Sequence, residues 1–203
     1  MAEELIFYTN PMSRGQIVRW MLEEVGAPYE TNILGYGTSM KDDAYLAINP
    51  MGKVPAIVHN GKVVTECAAI CAYLADAFPS AGLAPALADR ADYYRWMFFA
   101  AGPVEQAITA KHLGIEPDAD QQRSAGFGTL EHALDALESA VAGKTYVAGD
   151  RFTAADVYVG SQVDWGLQFG TIPSRPAFEA YAAGLRERAG YKASVHYWDT
   201  DIR

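Results

Sequence analysis

Asn49-Pro50-Met51-Gly52-Lys53-Val54-Pro55-Ala56-Ile57-Val58-His59-Asn60-Gly61-Lys62-Val63-Val64-Thr65-Glu66-Cys67 is the stretch on which the reading of this chain turns. At its centre Asn60-Gly61 separates two short apolar runs, 56–59 and 62–65. A two-residue hairpin turn needs positive φ at both positions, which Asn-Gly adopts at least cost, so the runs pair as antiparallel strands. Pro55 stands where the first strand begins. Proline has no N–H for a ladder and is tolerated at a strand start or edge. Two readings of Val54-Pro55 are open: an ordinary strand-start proline, or a cis bond that turns the Val54 main chain outward to pair with an extended peptide. After the second strand, Glu66-Cys67 opens a helical pattern to about residue 77, carrying Ala69, Ile70, Tyr73, Leu74 and Phe78.

Upstream of the hairpin, Leu5-Ile6-Phe7-Tyr8 reads as a buried strand that Asn10-Pro11 breaks. From Met12 the period is helical, with Ile17, Val18, Met21, Leu22 and Val25 three and four apart and Gly26 as the stop. Residues 29–34 form a second strand, 35–39 a loop and 41–48 a short helix. The opening is therefore β-α-β-α, which favours parallel pairing of the first two strands. Downstream, Pro79, Gly82 and Pro85 mark a linker over 79–87. Beyond it the patterns are helical: 89–112, 121–141 with Leu130, Leu134, Leu137 and Val141 on one face, 154–167 and 175–188. The organisation is an α/β domain over 1–78, reading β-α-β-α-β-β-α, and an all-α domain over 88–203.

Composition narrows the function. The chain has 203 residues, half of them hydrophobic, which supplies an ordinary globular core. Sixteen basic against 25 acidic residues give a net charge of -9 without a Lys/Arg cluster, so a nucleic-acid partner is not expected. No apolar run is long enough for a membrane span, and Met1-Ala2-Glu3-Glu4 is too acidic to begin a secretory signal. A cytoplasmic protein is expected. Cys67 and Cys71 lie four apart on one helix, neither a disulfide framework nor a zinc pattern, and His59, His112, His132 and His196 lack metal-ligand spacing.

Three places carry possible chemistry. Thr65-Glu66-Cys67 puts a carboxylate beside the free N–H groups of a helix N-terminus, which suits a zwitterionic amino-acid head; alone, a glutamate there only offsets the helix dipole. Met12-Ser13-Arg14-Gly15 places a hydroxyl and a guanidinium where the first strand hands over to a helix, a setting that stabilises a thiolate; alone, Ser13 is an N-cap. Tyr8 is a second hydroxyl candidate, or core filling. Phe152-Thr153-Ala154-Ala155-Asp156-Val157 is a helix start with Thr153 as N-cap, Asp156 reaching back from the third helical position, and Phe152 and Val157 as a hydrophobic staple. The crowded Tyr93, Tyr94, Trp96, Phe98 and Phe99 cannot all face one core, and some are candidates for an apolar cleft or a dimer contact.

Together these motifs, in this order, resemble the cytosolic glutathione transferases along nearly the whole chain. Asn49-Pro50-x-Gly52-Lys53-Val54-Pro55 looks like that family's cis-proline loop. Glu66-Cys67-x-x-Ile70-x-x-Tyr73-Leu74 is similar to its glutathione-binding helix, and Phe152-Thr153-x-Ala155-Asp156 to its capping box and staple. The resemblance implies a thioredoxin-like domain followed by a helical one, a homodimer, and glutathione as co-substrate attacking a small apolar electrophile. Val54, beside Pro55, pairs with the cysteinyl backbone, Glu66 and Cys67 take the γ-glutamyl end, and Lys53 reaches the peptide. Cys67 departs from the usual Ser or Thr, and a thiol is the weaker donor. Ser13, with Arg14 as helper, resembles the thiol-activating serine of some classes. Tyr8 resembles the tyrosine of others, of which Arg19-Trp20 is also reminiscent. No cysteine precedes Cys67, which removes thiol-disulfide chemistry by an N-terminal cysteine. The Ser-Ser-Cys-type motif of the maleylacetoacetate isomerases is missing too. The alternatives are a binding or regulatory protein with little catalysis, or an isomerase or dehalogenase on the same scaffold.

Overall fold

A computed structural model describes residues 4–200; Met1 to Glu3 of the acidic start, and side chains from His196 onward, lie outside the description. The elements run β1 (Leu5–Thr9), α1 (Gly15–Val25), β2 (Glu30–Ile33), a 3-10 turn (Ser39–Lys41), α2 (Asp43–Leu46), β3 (Ala56–His59), β4 (Lys62–Thr65) and α3 (Cys67–Ala77). The helical elements follow as α4 (Ala91–Phe99), α5 (Glu105–His112), α6 (Gln121–Ser124), α7 (Leu130–Val141), α8 (Ala154–Phe169), α9 (Pro176–Arg186) and α10 (Ala189–Thr200). Two compact units result, one reaching Leu83 and taking the chain back from Ala189, the other spanning Ala84–Arg188.

The first unit holds a four-stranded sheet in the order β2-β1-β3-β4. β1 and β2 are parallel, while β3 is antiparallel to both β1 and β4. The hairpin closes at Asn60-Gly61, both with positive φ, 49° and 76°. Alternation along β1 assigns its faces. Leu5, Phe7 and Thr9 are buried, and Thr9 meets the start of α1, since a Cβ on Gly15 would lie 1.9 Å from its Oγ1. Only glycine lets the helix begin that close to the strand. Tyr8 points the other way, into a small core of Leu34, Met40, Tyr45 and Ala56, with Ile48 and Val54 beside it. α1 packs against α3 and also against α10, where the Trp20 and Tyr191 rings meet edge-on at 5.1 Å. The last helix thus belongs with the sheet, whereas the sequence pattern groups all of 88–203 as helical domain.

The second unit is all helix. α8 is its centre: each residue from Ala154 to Asp164 is buried. The capping box at its start is formed as the sequence indicates, and Asp156 does more than cap. Its carboxylate accepts hydrogen bonds from Thr153 N (2.9 Å), Val147 N (2.7 Å) and Tyr181 Oη (2.8 Å). Burial pushes its pKa up, and these donors pull it part of the way back. Two helices differ from their sequence patterns. The run 89–112 is interrupted by a π-helical turn, Ala100–Val104, which contains Pro103; proline removes one backbone donor, and the wider turn absorbs it. The run 121–141 breaks into α6 and α7 because Thr129 starts a new helix, its Oγ1 accepting from His132 N at 3.1 Å. On α4, Tyr93, Trp96 and Met97 are buried, while Tyr94 and Phe98 are exposed.

Candidate active site at one end of the sheet

Register brings the sequence motifs to one end of the sheet. Tyr8 lies opposite Ala56, and Ala56 opposite Thr65. The chain leaving β1 toward Ser13, the chain entering β3 through Val54-Pro55, and the chain leaving β4 into Glu66-Cys67 therefore share that end.

The loop before β3 is held by side chains 4, 8 and 11 residues ahead of the carbonyls they bind. Tyr45 Oη and Asn49 Nδ2 both donate to the Lys53 carbonyl, at 2.6 and 2.8 Å. Burial pushes the Tyr45 phenol up to about 12, so it stays a donor at neutral pH. Lys41 Nζ donates to the Gly52 carbonyl at 2.9 Å. Gly52 has φ +55°, and a Cβ there would sit 2.7 Å from the Met40 carbonyl oxygen, so no other residue fits. The Val54-Pro55 bond is cis. Among the described residues neither the N–H nor the C=O of Val54 makes a hydrogen bond. Lys53 is exposed.

Glu66 carries a backbone feature that the sequence does not mark. It is exposed and adopts φ 66°, ψ 117°, ahead of α3. A side chain in the left-handed region costs about 1–2 kcal/mol, and such positions gather at functional sites. Its neighbour Cys67 is buried and donates its Sγ–H to the Arg14 carbonyl at 3.5 Å. This contact ties the N-terminus of α3 to the start of α1. Cys71, one turn on, is fully buried, and burial pushes its thiol up to about 12. That rules it out as a nucleophile near neutrality.

At the start of α1, Ser13 Oγ donates to the Asn10 carbonyl at 2.6 Å and accepts from Gly15 N at 3.0 Å. Arg14 is exposed and Ser13 half-buried. Tyr8 is half-buried on the opposite face of β1, its ring 5.5 Å from that of Tyr45. Its hydroxyl has no hydrogen-bond partner among the described residues. The geometry thus links Ser13, Arg14, Glu66 and Cys67, places Val54 and Lys53 at the same end, and sets Tyr8 behind the strand. No group of three or more His, Cys, Asp or Glu side chains that could hold a metal occurs among the described residues.

The family model for the N-terminal domain of glutathione S-transferases matches residues 12–77, and that for the C-terminal domain matches residues 120–165. A glutathione S-transferase of Xanthomonas campestris pv. campestris is 30% identical over 203 residues, covering 93% of this chain and 96% of that protein. The chain belongs to the glutathione S-transferase family. Among solved structures of glutathione transferases, one from Methylococcus capsulatus superposes with a TM-score of 0.79 at 27% identity, covering 96% of this chain and 98% of its own. A sphingomonad glutathione S-transferase complexed with glutathione superposes at 0.77 with 27% identity, over 96% and 99% of the two chains. In this glutathione S-transferase, Asn10, Lys41 and Tyr45, which the sequence does not single out, and Asn49, marked there only as part of the proline-loop motif, hold the site rather than form its surface. Asn10 left a signal, an Asn ahead of proline and three residues before a serine, a frequent turn start.

Proposed function

We propose that this chain binds glutathione at this end of the sheet and conjugates its thiolate to small apolar electrophiles. One observation carries the reading: the main chain of Val54, unpartnered among the described residues, lies at the same end of the sheet as Glu66, a carboxylate held in a costly backbone conformation beside a helix N-terminus. An extended peptide pairs with exposed main-chain groups. Its amino-acid head finds a carboxylate for the ammonium and N–H groups for its own carboxylate. Cys67 spends its weak donor on Arg14, so that pocket relies on backbone N–H groups and Glu66. Lys53, exposed on the same loop, reaches toward the peptide.

The free thiol of glutathione has a pKa of about 8.5 and is mostly protonated at pH 7; lowering it by about 2 units takes roughly 2.7 kcal/mol of thiolate stabilisation. Ser13 supplies one hydrogen bond, with the α1 N-terminus and the Arg14 charge behind it. Tyr8 is less well placed, because its side chain belongs to the face of β1 away from α1. The thiol proton leaves to solvent. The thiolate forms a carbon–sulfur bond to the electrophile, whose leaving group departs with the bonding pair.

No helix among the described residues is long and apolar enough to cross a membrane. We place the protein in the cytoplasm.

Calorimetry with glutathione and a chlorodinitrobenzene assay test the reading together. Binding with turnover is expected; binding without turnover makes this a binding or regulatory protein, and no binding at millimolar glutathione overturns the reading. Ser13→Ala should raise the pKa of bound glutathione, read from thiolate absorbance, and cut turnover about ten-fold, equivalent to about 1.4 kcal/mol. Tyr8→Phe should change neither. The reverse pattern makes Tyr8 the thiolate partner.

A further inference from the structure

The Ser13 hydroxyl has a single proton, and without glutathione that proton is committed to the Asn10 carbonyl at 2.6 Å. Donating to a thiolate means turning it away. What this costs depends on what the carbonyl has left. Ser13 N donates to the same Asn10 carbonyl at 3.1 Å, so the oxygen stays hydrogen-bonded when the hydroxyl leaves. Meanwhile Gly15 N continues to donate into Ser13 Oγ at 3.0 Å, polarising the hydroxyl as a donor.

The Asn10 side chain fixes this arrangement. Its Nδ2 donates to the Leu34 carbonyl at 2.7 Å and its Oδ1 accepts from Met12 N at 2.9 Å. Leu34 N in turn donates to the Thr9 carbonyl at 2.8 Å. One amide thus pins the turn after β1 both to itself and to the chain leaving β2.

We infer that Asn10 is the positioning residue for thiol activation: its backbone carbonyl holds the Ser13 hydroxyl in a ready orientation and releases it to the glutathione thiolate, while its side-chain amide keeps that carbonyl in place. This rests on the reading of Ser13 as thiolate partner. The proton moves only by rotation about the Cβ–Oγ bond, and no bond to Ser13 is made or broken.

The test is a double-mutant cycle on the full-length protein, with Asn10→Ala, Ser13→Ala and the pair. The thiol pKa of bound glutathione, kcat and glutathione affinity are each measured. Asn10→Ala should raise the thiol pKa by about half a unit to one unit, the worth of one neutral hydrogen bond. It should lower kcat about three- to ten-fold and, at about pH 6 where the bound thiol is mostly protonated, move glutathione affinity less than two-fold. Added to Ser13→Ala, it should move the thiol pKa no further, because a residue acting through Ser13 has nothing left to position. Asn10→Ser keeps an acceptor for Met12 N without the donor to Leu34. It should give a smaller pKa rise, and it serves if the alanine variant does not fold. If Ser13→Ala raises the thiol pKa and neither Asn10 variant does, or if the Asn10 effect persists undiminished without Ser13, the role given to Asn10 is wrong. If Ser13→Ala leaves the pKa unchanged, the reading of Ser13 falls, and this inference with it.

Discussion

Replacing Glu66 by alanine and, separately, by glycine divides what its backbone costs from what its side chain does. Both variants lose the carboxylate. Alanine keeps a Cβ in the conformation φ 66°, ψ 117°, whereas glycine enters the positive-φ region freely. The left-handed position costs a side-chain-bearing residue about 1–2 kcal/mol. Glycine returns about 0.4–1 kcal/mol of this through the greater freedom of the unfolded chain. The net expectation is that the glycine variant is more stable than the alanine variant by about 1 kcal/mol, or about 2–4 °C in melting temperature for a chain of this size. Glutathione affinity should fall alike in both, by roughly 1.5–3 kcal/mol, the worth of a hydrogen bond to a charged group. Differential scanning calorimetry without glutathione gives the first quantity, and titration calorimetry the second. A glycine variant that melts at or below the alanine variant would falsify the claim that the backbone is held there at a cost. Unchanged affinity in both would remove Glu66 from the site.

Asp156→Ala should lower stability by about 3 kcal/mol or more, because it removes a helix cap and leaves buried donors unmatched; thermal melting reads the loss, and turnover in the folded fraction should stay unchanged. Gly52→Ala should cost about 2 kcal/mol or more, the left-handed penalty plus displacement of Lys41 from the loop, and should weaken glutathione binding with it; thermal melts and titration calorimetry check both. We also expect a two-fold homodimer, the commonest soluble assembly. Light scattering at micromolar concentration should give about twice the chain mass, and a value near 22.1 kDa contradicts it.

What could be read from the sequence was what local chemistry decides. Asn60-Gly61 announces its hairpin because few dipeptides take that turn, and Thr153 with Asp156 announces a helix start because both partners lie within one turn. What escaped depends on partners that only the folded chain brings together. Asn10 reads as a strand breaker until Leu34 is beside it, and Tyr45 as an aromatic of a short helix until its hydroxyl reaches Lys53. The unusual backbone at Glu66 has no sequence signal, since glutamate is an ordinary residue for a first helical turn. Pro103 is a helix breaker by rule, yet here the helix widens around it.

The packing of α10 on α1 joins residues about 170 positions apart through Trp20 and Tyr191. On the ribosome, the sheet and its first three helices emerge early but lack this partner until the whole Ala84–Arg188 unit has been made. The Ala84–Arg188 unit, uninterrupted in sequence, has all its parts sooner. Completion of the sheet-containing unit therefore follows synthesis of the other unit. A chimera that exchanges it with another protein has to carry two separate segments rather than one.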